Sequence, residues 1–432
     1  MQASPSFKKV LPPLLVGIAL LTLLSIFSRT TFVGQNTTHP VHTLATSKTM
    51  QGRALADTWS NIHPFQLFDL HTNPTVIAHT YNSVWGADFV KFAAYRSNNP
   101  NMFLAYYIPF NRDYGAFWNN SSIHNLTYWQ TGHPDWVLYQ CDRVTPAYQF
   151  TDPNVPLDFT NPDVIAWQMQ TYVRPASQKG YDAIAADNVD FGNWYHACGI
   201  YKNGQWVQLF SGQPIDPAWR TALLNWLSQM RTAAHSLAHP LALIPNLAFG
   251  GLTPMDPLIL KAADLSDGVL DEGGFTYYGN GYVTGTDWVQ HVQLIEYVQS
   301  ENKPCFIVDN LPTINRFNMQ WALASYLMGK EHFSEIYIVR MQHYGINAWK
   351  DEYNAQIGNP SDSMYQSQNV YWRDYSNGVS IVNPDPGSKY TITLSSSVHY
   401  VDLYGNPISG TVTMPPHSGL VLLIQSRASS AG

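Results

Sequence analysis

The stretch Gly180-Tyr-Asp-Ala-Ile-Ala-Ala-Asp-Asn-Val-Asp-Phe191 decides the fold. Tyr181 to Ala186 is nearly all apolar and too short for a helix, and Lys179-Gly180 before it closes a helical stretch. It reads as one short buried strand. Polarity then changes abruptly: Asp187, Asn188 and Asp190 stand at its C-terminal end. In a parallel sheet or barrel, that end is where ligands bind and chemistry happens. Carboxylates emerging from an apolar strand are costly to bury, so they need a partner, a ligand or a function. The duller alternative is a turn in which Asp and Asn cap the next loop.

Outward from this strand, apolar runs alternate with runs of helical spacing. Strands are predicted at Phe65–Leu70, Phe103–Ile108 and Trp136–Cys141 before it, and at Leu241–Ile244, Ser266–Leu270, Cys305–Val308 and Ile336–Val339 after it. Between them Ile165, Met169, Tyr172 and Val173 share a helix face, with Thr160 or Asn161 as cap and Pro162 in the first turn. Trp219, Leu223, Leu227 and Met230 stripe a helix over 217–237, and Met319, Leu323, Tyr326 and Leu327 stripe another. Eight short strands with helices between them predict an α/β fold, a (β/α)8 TIM barrel. An open doubly wound sheet is the alternative, but no Gly-rich phosphate loop follows the first strand. Beyond about residue 365 the period falls to two, as in Tyr390-Thr-Ile-Thr-Leu394, and Asn377-Gly378 signals a hairpin. A small C-terminal antiparallel β-sandwich over 363–426 follows, leaving 61–362 for the barrel.

Composition agrees with a large core: 45% of the 432 residues are apolar and only 12% are charged, against about a quarter in an average domain. Aromatics reach 14%, including 14 Trp and 26 Tyr, which suits a cleft that stacks on flat sugar faces and is equally compatible with core filling. The net charge of −7, with no basic block beyond Lys8-Lys9, speaks against nucleic acid. Three cysteines make neither a disulfide framework nor a zinc pattern. Cys305 reads as a buried thiol, and Cys141 and Cys198 can pair if the chain is exported.

At the N-terminus, Lys8-Lys9 precede an uncharged 18-residue run, Val10 to Phe27, with no clear cleavage site after it. Residues 1–35 therefore read as a signal-anchor or signal peptide, with an uncleaved membrane anchor favoured. Residues 36–60 read as a flexible linker, and the rest as exported. Sequons begin at Asn36, Asn120 and Asn125.

Polar side chains collect at the predicted strand ends: Asp69, Arg112, Asp142, Asp187, Asp190, Asn246, Glu272 and Asp309. In a barrel those ends form one rim. Carboxylates and aromatics on a rim, without metal-ligand spacing, point to acid/base chemistry on a neutral polar substrate, with no cofactor. Glycoside hydrolysis needs a carboxyl to protonate the leaving oxygen and another to attack or to activate water. Asp187 and Glu272 are the predicted catalytic pair. Asp69, Tyr107, Arg112, Asp142, Asn188, Asp190, Asn246, Tyr277 and Asp309 are the candidate substrate-binding residues. His196 near Cys198 suggests a metal only faintly, since two ligands do not make a site.

The run Pro134-Asp-Trp-Val137, the phrase Leu157-Asp-Phe-Thr-Asn-Pro162 and the 180–189 stretch resemble a family of hypothetical glycosyl hydrolases with a TIM barrel. Asn377-Gly-Val-Ser-Ile-Val-Asn-Pro384, Val401-Asp-Leu-Tyr-Gly405 and Pro416-His-Ser-Gly-Leu420 resemble the β-module that trails such barrels. More distantly the chain is similar to endo-α-1,4-polygalactosaminidase-type hydrolases. That resemblance implies an Asp after strand four and a Glu after strand six as the working pair, matching Asp187 and Glu272, with Asn246 after strand five. The α-amylase pattern wants a Glu where Asn246 stands. The expectation is a glycoside hydrolase acting on a polysaccharide. A non-catalytic carbohydrate-binding surface protein and a polysaccharide transglycosylase are the competing readings.

Overall fold

The computed structural model describes residues 62–113, 124–150, 153–341 and 343–425. The predicted anchor, the linker and the sequons at Asn36 and Asn120 lie outside the described residues. No helix among those described is long and apolar enough to cross a membrane.

Eight parallel strands form one sheet: β1 (Gln66–Leu67), β2 (Ser83–Ala87), β3 (Phe103–Pro109), β4 (Ala183–Asp190), β5 (Ala242–Ala248), β6 (Val269–Asp271), β7 (Cys305–Leu311) and β8 (Ser334–Arg340). A parallel bridge between Pro64 and Ile336, with Phe65 N on Ile336 O at 3.2 Å, joins the two edges into a barrel. The strands are nearly continuous apolar runs because helices cover the outer face and side chains fill the inside. Trp85 of β2 reaches across the lumen and donates its indole N–H to Ile244 O of β5 at 3.2 Å.

The membership of the barrel corrects the prediction at one strand. Ser83-Val-Trp-Gly-Ala87 is the second strand, and the 136–141 run is not in the barrel. Gly86 interrupts the apolar run and bulges the β2–β3 register, which hid the strand from a pattern search. Tyr139–Gln140 instead pairs antiparallel with Ala197–Lys202 in a three-stranded side sheet. The two errors cancel in the count, so Asp187 still belongs to the C-terminal part of strand four. A disulfide joins Cys141 and Cys198, with Cα atoms 5.0 Å apart, and ties the two excursions after β3 and β4 together. Cys305 is a buried free thiol.

Helices start where the sequence provides caps. Asn161 accepts from Asp163 N ahead of Pro162, and Asp216 accepts from Ala218 N and Trp219 N ahead of Pro217. The helix after β7, α1 (Arg316–Gly329), is buried along most of its length because the C-terminal module packs on it. That module is a six-stranded antiparallel sheet with a two-stranded one beside it. Gly419 lies against Gln320 O, and Val421 N bonds Gln320 Oε1 at 2.7 Å. The buried Arg373 guanidinium caps the end of α1, donating to Met328 O at 2.9 Å and Lys330 O at 2.7 Å.

At the bottom of the barrel, Glu335 of β8 is fully buried and accepts from Ser83 Oγ of β2. Burial pushes its carboxyl up to about 8. The folded protein therefore holds a proton there that the unfolded chain releases at ordinary carboxylate pH. Stability from this group is full below about 4.5 and falls as pH rises toward 8. Asp69 and Asp309, pushed up to about 6 and about 7, act in the same direction. We expect Glu335→Gln to flatten part of the slope of melting temperature against pH between about 5 and 8, read by calorimetry. A slope identical to that of the wild type contradicts this.

Candidate active site

Asp187 and Glu272 meet at the C-terminal mouth of the barrel. The junction is Asn246 of β5, whose Nδ2 donates to Asp187 Oδ1 at 2.9 Å and to Glu272 Oε2 at 2.6 Å. One nitrogen at those distances keeps the two oxygens within about 5.5 Å of each other, the sum of the two.

The backbone builds this meeting. Ala186 of β4 pairs with Pro245 and Val189 with Leu247, so Asp187-Asn188 form a bulge opposite Asn246. Asn188 takes φ 59° there. Bulges of this kind re-aim a side chain at a barrel rim, and Asn is among the residues that tolerate the left-handed region. Four hydrogen bonds fix the Asp187 carboxylate: Asn188 N at 2.9 Å and Asn246 Nδ2 at 2.9 Å on Oδ1, Asn188 Nδ2 at 2.6 Å and Tyr107 OH at 3.1 Å on Oδ2. Arg112 backs Tyr107 with a contact of 3.4 Å to its hydroxyl, and also holds Gln149.

Glu272 follows β6 and is carried by a loop fixed from below. Asp271 accepts from Gly273 N and Gly274 N, both at 3.0 Å, and meets His291 at 2.9 Å. Asp309 accepts from Phe275 N at 2.7 Å. Tyr277 and Tyr278 have φ of 42° and 59°, and non-Gly residues with such φ cluster at functional sites. Burial, and secondarily the Asp187 charge, push the Glu272 carboxyl up to about 7, against hydrogen bonds from Asn246 and Tyr344. Asn310 Nδ2 orients the Tyr344 hydroxyl at 2.9 Å. Phe68 packs between Tyr107 and Tyr344, with ring centroids 5.8 Å and 6.2 Å away. The floor below the carboxyl pair is thus aromatic, and it desolvates Glu272.

Gly274 makes the Glu272 loop possible. Its φ is +48°, and a Cβ would stand 2.3 Å from Val308 O and 2.6 Å from Asp309 Oδ1. We expect Gly274→Ala to cost about 1–3 kcal/mol of stability and to lower kcat by displacing Glu272. Unfolding and steady-state rates measured together check this, and unchanged values for both contradict it.

The predicted residues separate into two groups. Asp187, Glu272, Asn246, Asn188, Tyr107 and Arg112 are joined in one hydrogen-bonded network, and Asp190 is the last residue of β4. Asp69, Asp142 and Asp309 need correction as substrate ligands. Asp69 is fully buried and brackets its own loop, accepting from Asp88 N and, at 2.7 Å, from Tyr95 OH. Asp309 is fully buried beneath the Glu272 loop. Asp142 lies on the side sheet, where it closes a turn with Val144 N and Thr145 N. Tyr277 is partly exposed on the rim but ties its hydroxyl to Asp287 at 2.9 Å. Gln149, Tyr344 and Phe68 were not predicted, since each reaches the site from a loop or strand end without a local pattern. Among the described residues, no three His, Cys, Asp or Glu side chains group so as to hold a metal ion.

The fold and site define a (β/α)8 barrel with paired carboxyls at its mouth and a trailing β-module. The chain belongs to the family described as Hypothetical glycosyl hydrolase family 15, whose model matches residues 96–379. No curated protein matches it. Among solved structures it is similar to the noncanonic maltogenic α-amylase AmyB from Thermotoga neapolitana, at 12% identity over 85% of this chain and 90% of that one, with a TM-score of 0.42. It is also similar to isomaltulose synthase from Klebsiella sp. LX3, at 10% identity over 84% and 99%, with a TM-score of 0.47. Likeness at this level assigns no substrate and no residue role.

Proposed function

We propose that the protein is a retaining glycoside hydrolase of a polysaccharide, with Glu272 as general acid/base and Asp187 as nucleophile. The observation that carries this is the single Asn246 nitrogen between the two carboxyls. A separation within about 5.5 Å suits a retaining pair, whereas an inverting pair needs about 6.5–9.5 Å to admit a water. In the first step Glu272 gives its proton to the glycosidic oxygen as the C1–O bond breaks. Asp187 closes on C1 and forms an ester. In the second step Glu272 takes a proton from water, whose oxygen attacks C1 and releases Asp187 as the carboxylate. A Glu272 carboxyl near 7 is matched to both duties at neutral pH.

The Cys141–Cys198 disulfide belongs to an oxidising compartment. With the apolar run behind Lys8-Lys9, it supports an exported protein held at the membrane by its N-terminal segment. The sequence resemblance makes a galactosamine-containing polymer the first substrate to try. The test is hydrolysis of a panel of that polymer, starch, cellulose, chitosan and galactan by the wild type, Asp187→Asn and Glu272→Gln. Cleavage by the wild type and loss in both variants supports the proposal. Full activity in both variants, or binding without turnover, overturns it.

A further inference from the structure

Trp194 stands in the turn after β4 with 46% of its surface exposed, yet it is held firmly. Its ring lies on Gly192, where a Cβ would stand 2.3 Å from Nε1 and 2.4 Å from Cε2. The Asp190 carboxyl stands at the indole's edge and accepts from Gly192 N at 2.7 Å. The flat ring is therefore fixed along its edge and one side, while the rest meets solvent. A ring held rigid at a barrel mouth offers a flat apolar face with a polar edge to a ligand.

Two connections place this ring beside the carboxyl pair. Asp190, at the edge of the indole, is the last residue of β4, on the same strand end as Asp187. Gly250, just after β5, packs its backbone against Gly192 beneath the ring, so the turn that carries Trp194 abuts the end of the strand that carries Asn246. Phe150, a second exposed ring, lies under the Arg112 guanidinium at 4.9 Å.

We propose that Trp194, with Asp190 at its edge, is the stacking platform of a subsite for one pyranose ring beside the reacting sugar, so that the mouth grips a chain. This rests on the glycosidase reading above and adds how the substrate is held. A pyranose offers an apolar C–H face to the indole and hydroxyls to the carboxyl at its edge. Burial pushes Asp190 up to about 7, so near neutrality it both donates and accepts. Asp187, Glu272 and Asp190 stand at this mouth with no basic side chain among the described residues bonded to any of their carboxyls, which disfavours an acidic sugar, so the occupant is a neutral or amino sugar.

The test is calorimetric titration of the Asp187→Asn protein with maltohexaose, cellohexaose and an α-1,4-linked galactosamine hexamer, repeated with Trp194→Ala and Trp194→Phe added. At least one hexamer binds. Its Kd rises about tenfold or more with Ala and stays within about threefold with Phe. With Trp194 intact, a saturating hexamer also protects the Trp194 peptide from oxidation by N-bromosuccinimide, a readout that needs no second variant. Binding of none of the three, an equal Kd without the indole, or an unprotected peptide overturns the proposal. Binding needs no turnover. A failed titration sinks the platform and leaves the catalytic pair standing, whereas an active Asp187→Asn enzyme sinks the pair.

Discussion

Asp187→Asn lowers kcat by at least about 10⁴-fold, while the far-ultraviolet circular dichroism spectrum stays that of the wild type. The magnitude follows from the residue's role: without a carboxylate at C1 there is no ester intermediate, and nucleophile deletions cost losses of that order or more. The fold survives because the isosteric amide keeps the shape of the bulge. Its Nδ2 can no longer accept from a neighbouring donor, so some stability is lost, but the core below is untouched. Rates on a cleaved polysaccharide, beside the spectrum, check the prediction. A loss below about tenfold would make Asp187 a binding group and not the nucleophile.

Glu272→Gln gives the second large effect, and its form is more telling than its size. A poor leaving group needs the proton, so polysaccharide hydrolysis falls by about 10²–10⁴-fold. An activated aryl glycoside leaves without that proton, so its first step is spared. The second step lacks its base and becomes rate-limiting. The wild type carries a matching pH signature. With the carboxyl near 7, it is protonated below that pH and loses its proton above, so activity on the polysaccharide declines as pH rises through about 7. Asp187 lies among the groups that raise Glu272. A basic limb well below 6, or none up to pH 9, contradicts the assignment of Glu272 as the acid.

The legible part of this protein was the part written locally. Tyr181 to Ala186 is an apolar run that stops at a carboxylate, and the same grammar marks the ends of β5 and β6, so Asp187, Asn246 and Glu272 could be placed on one rim from sequence. The alternating run at 390–394 and the Asn377-Gly378 turn showed the trailing module for the same reason. What failed was written non-locally. Ser83–Ala87 is a strand whose glycine admits the Phe68 ring, 2.5 Å from where a Cβ would be, a contact no window of sequence contains. Asp69 and Asp309 also sit at strand ends, yet both oxygens of Asp69 and Oδ1 of Asp309 are taken up by backbone N–H groups of neighbouring loops. A strand-end carboxylate that braces a loop and one that faces the mouth look alike until the partner is known. Asp142 was misplaced only because its strand was. Gln149 and Tyr344 sit in long connections where position, not pattern, confers the role.

The most direct measurement is mass spectrometry of the Glu272→Gln protein incubated with an activated aryl glycoside and digested after acid quench. The account predicts a peptide containing Asp187 that is heavier by one glycosyl unit and loses it on prolonged incubation. An enzyme that turns over without any such adduct, or with the sugar on another residue, would contradict it.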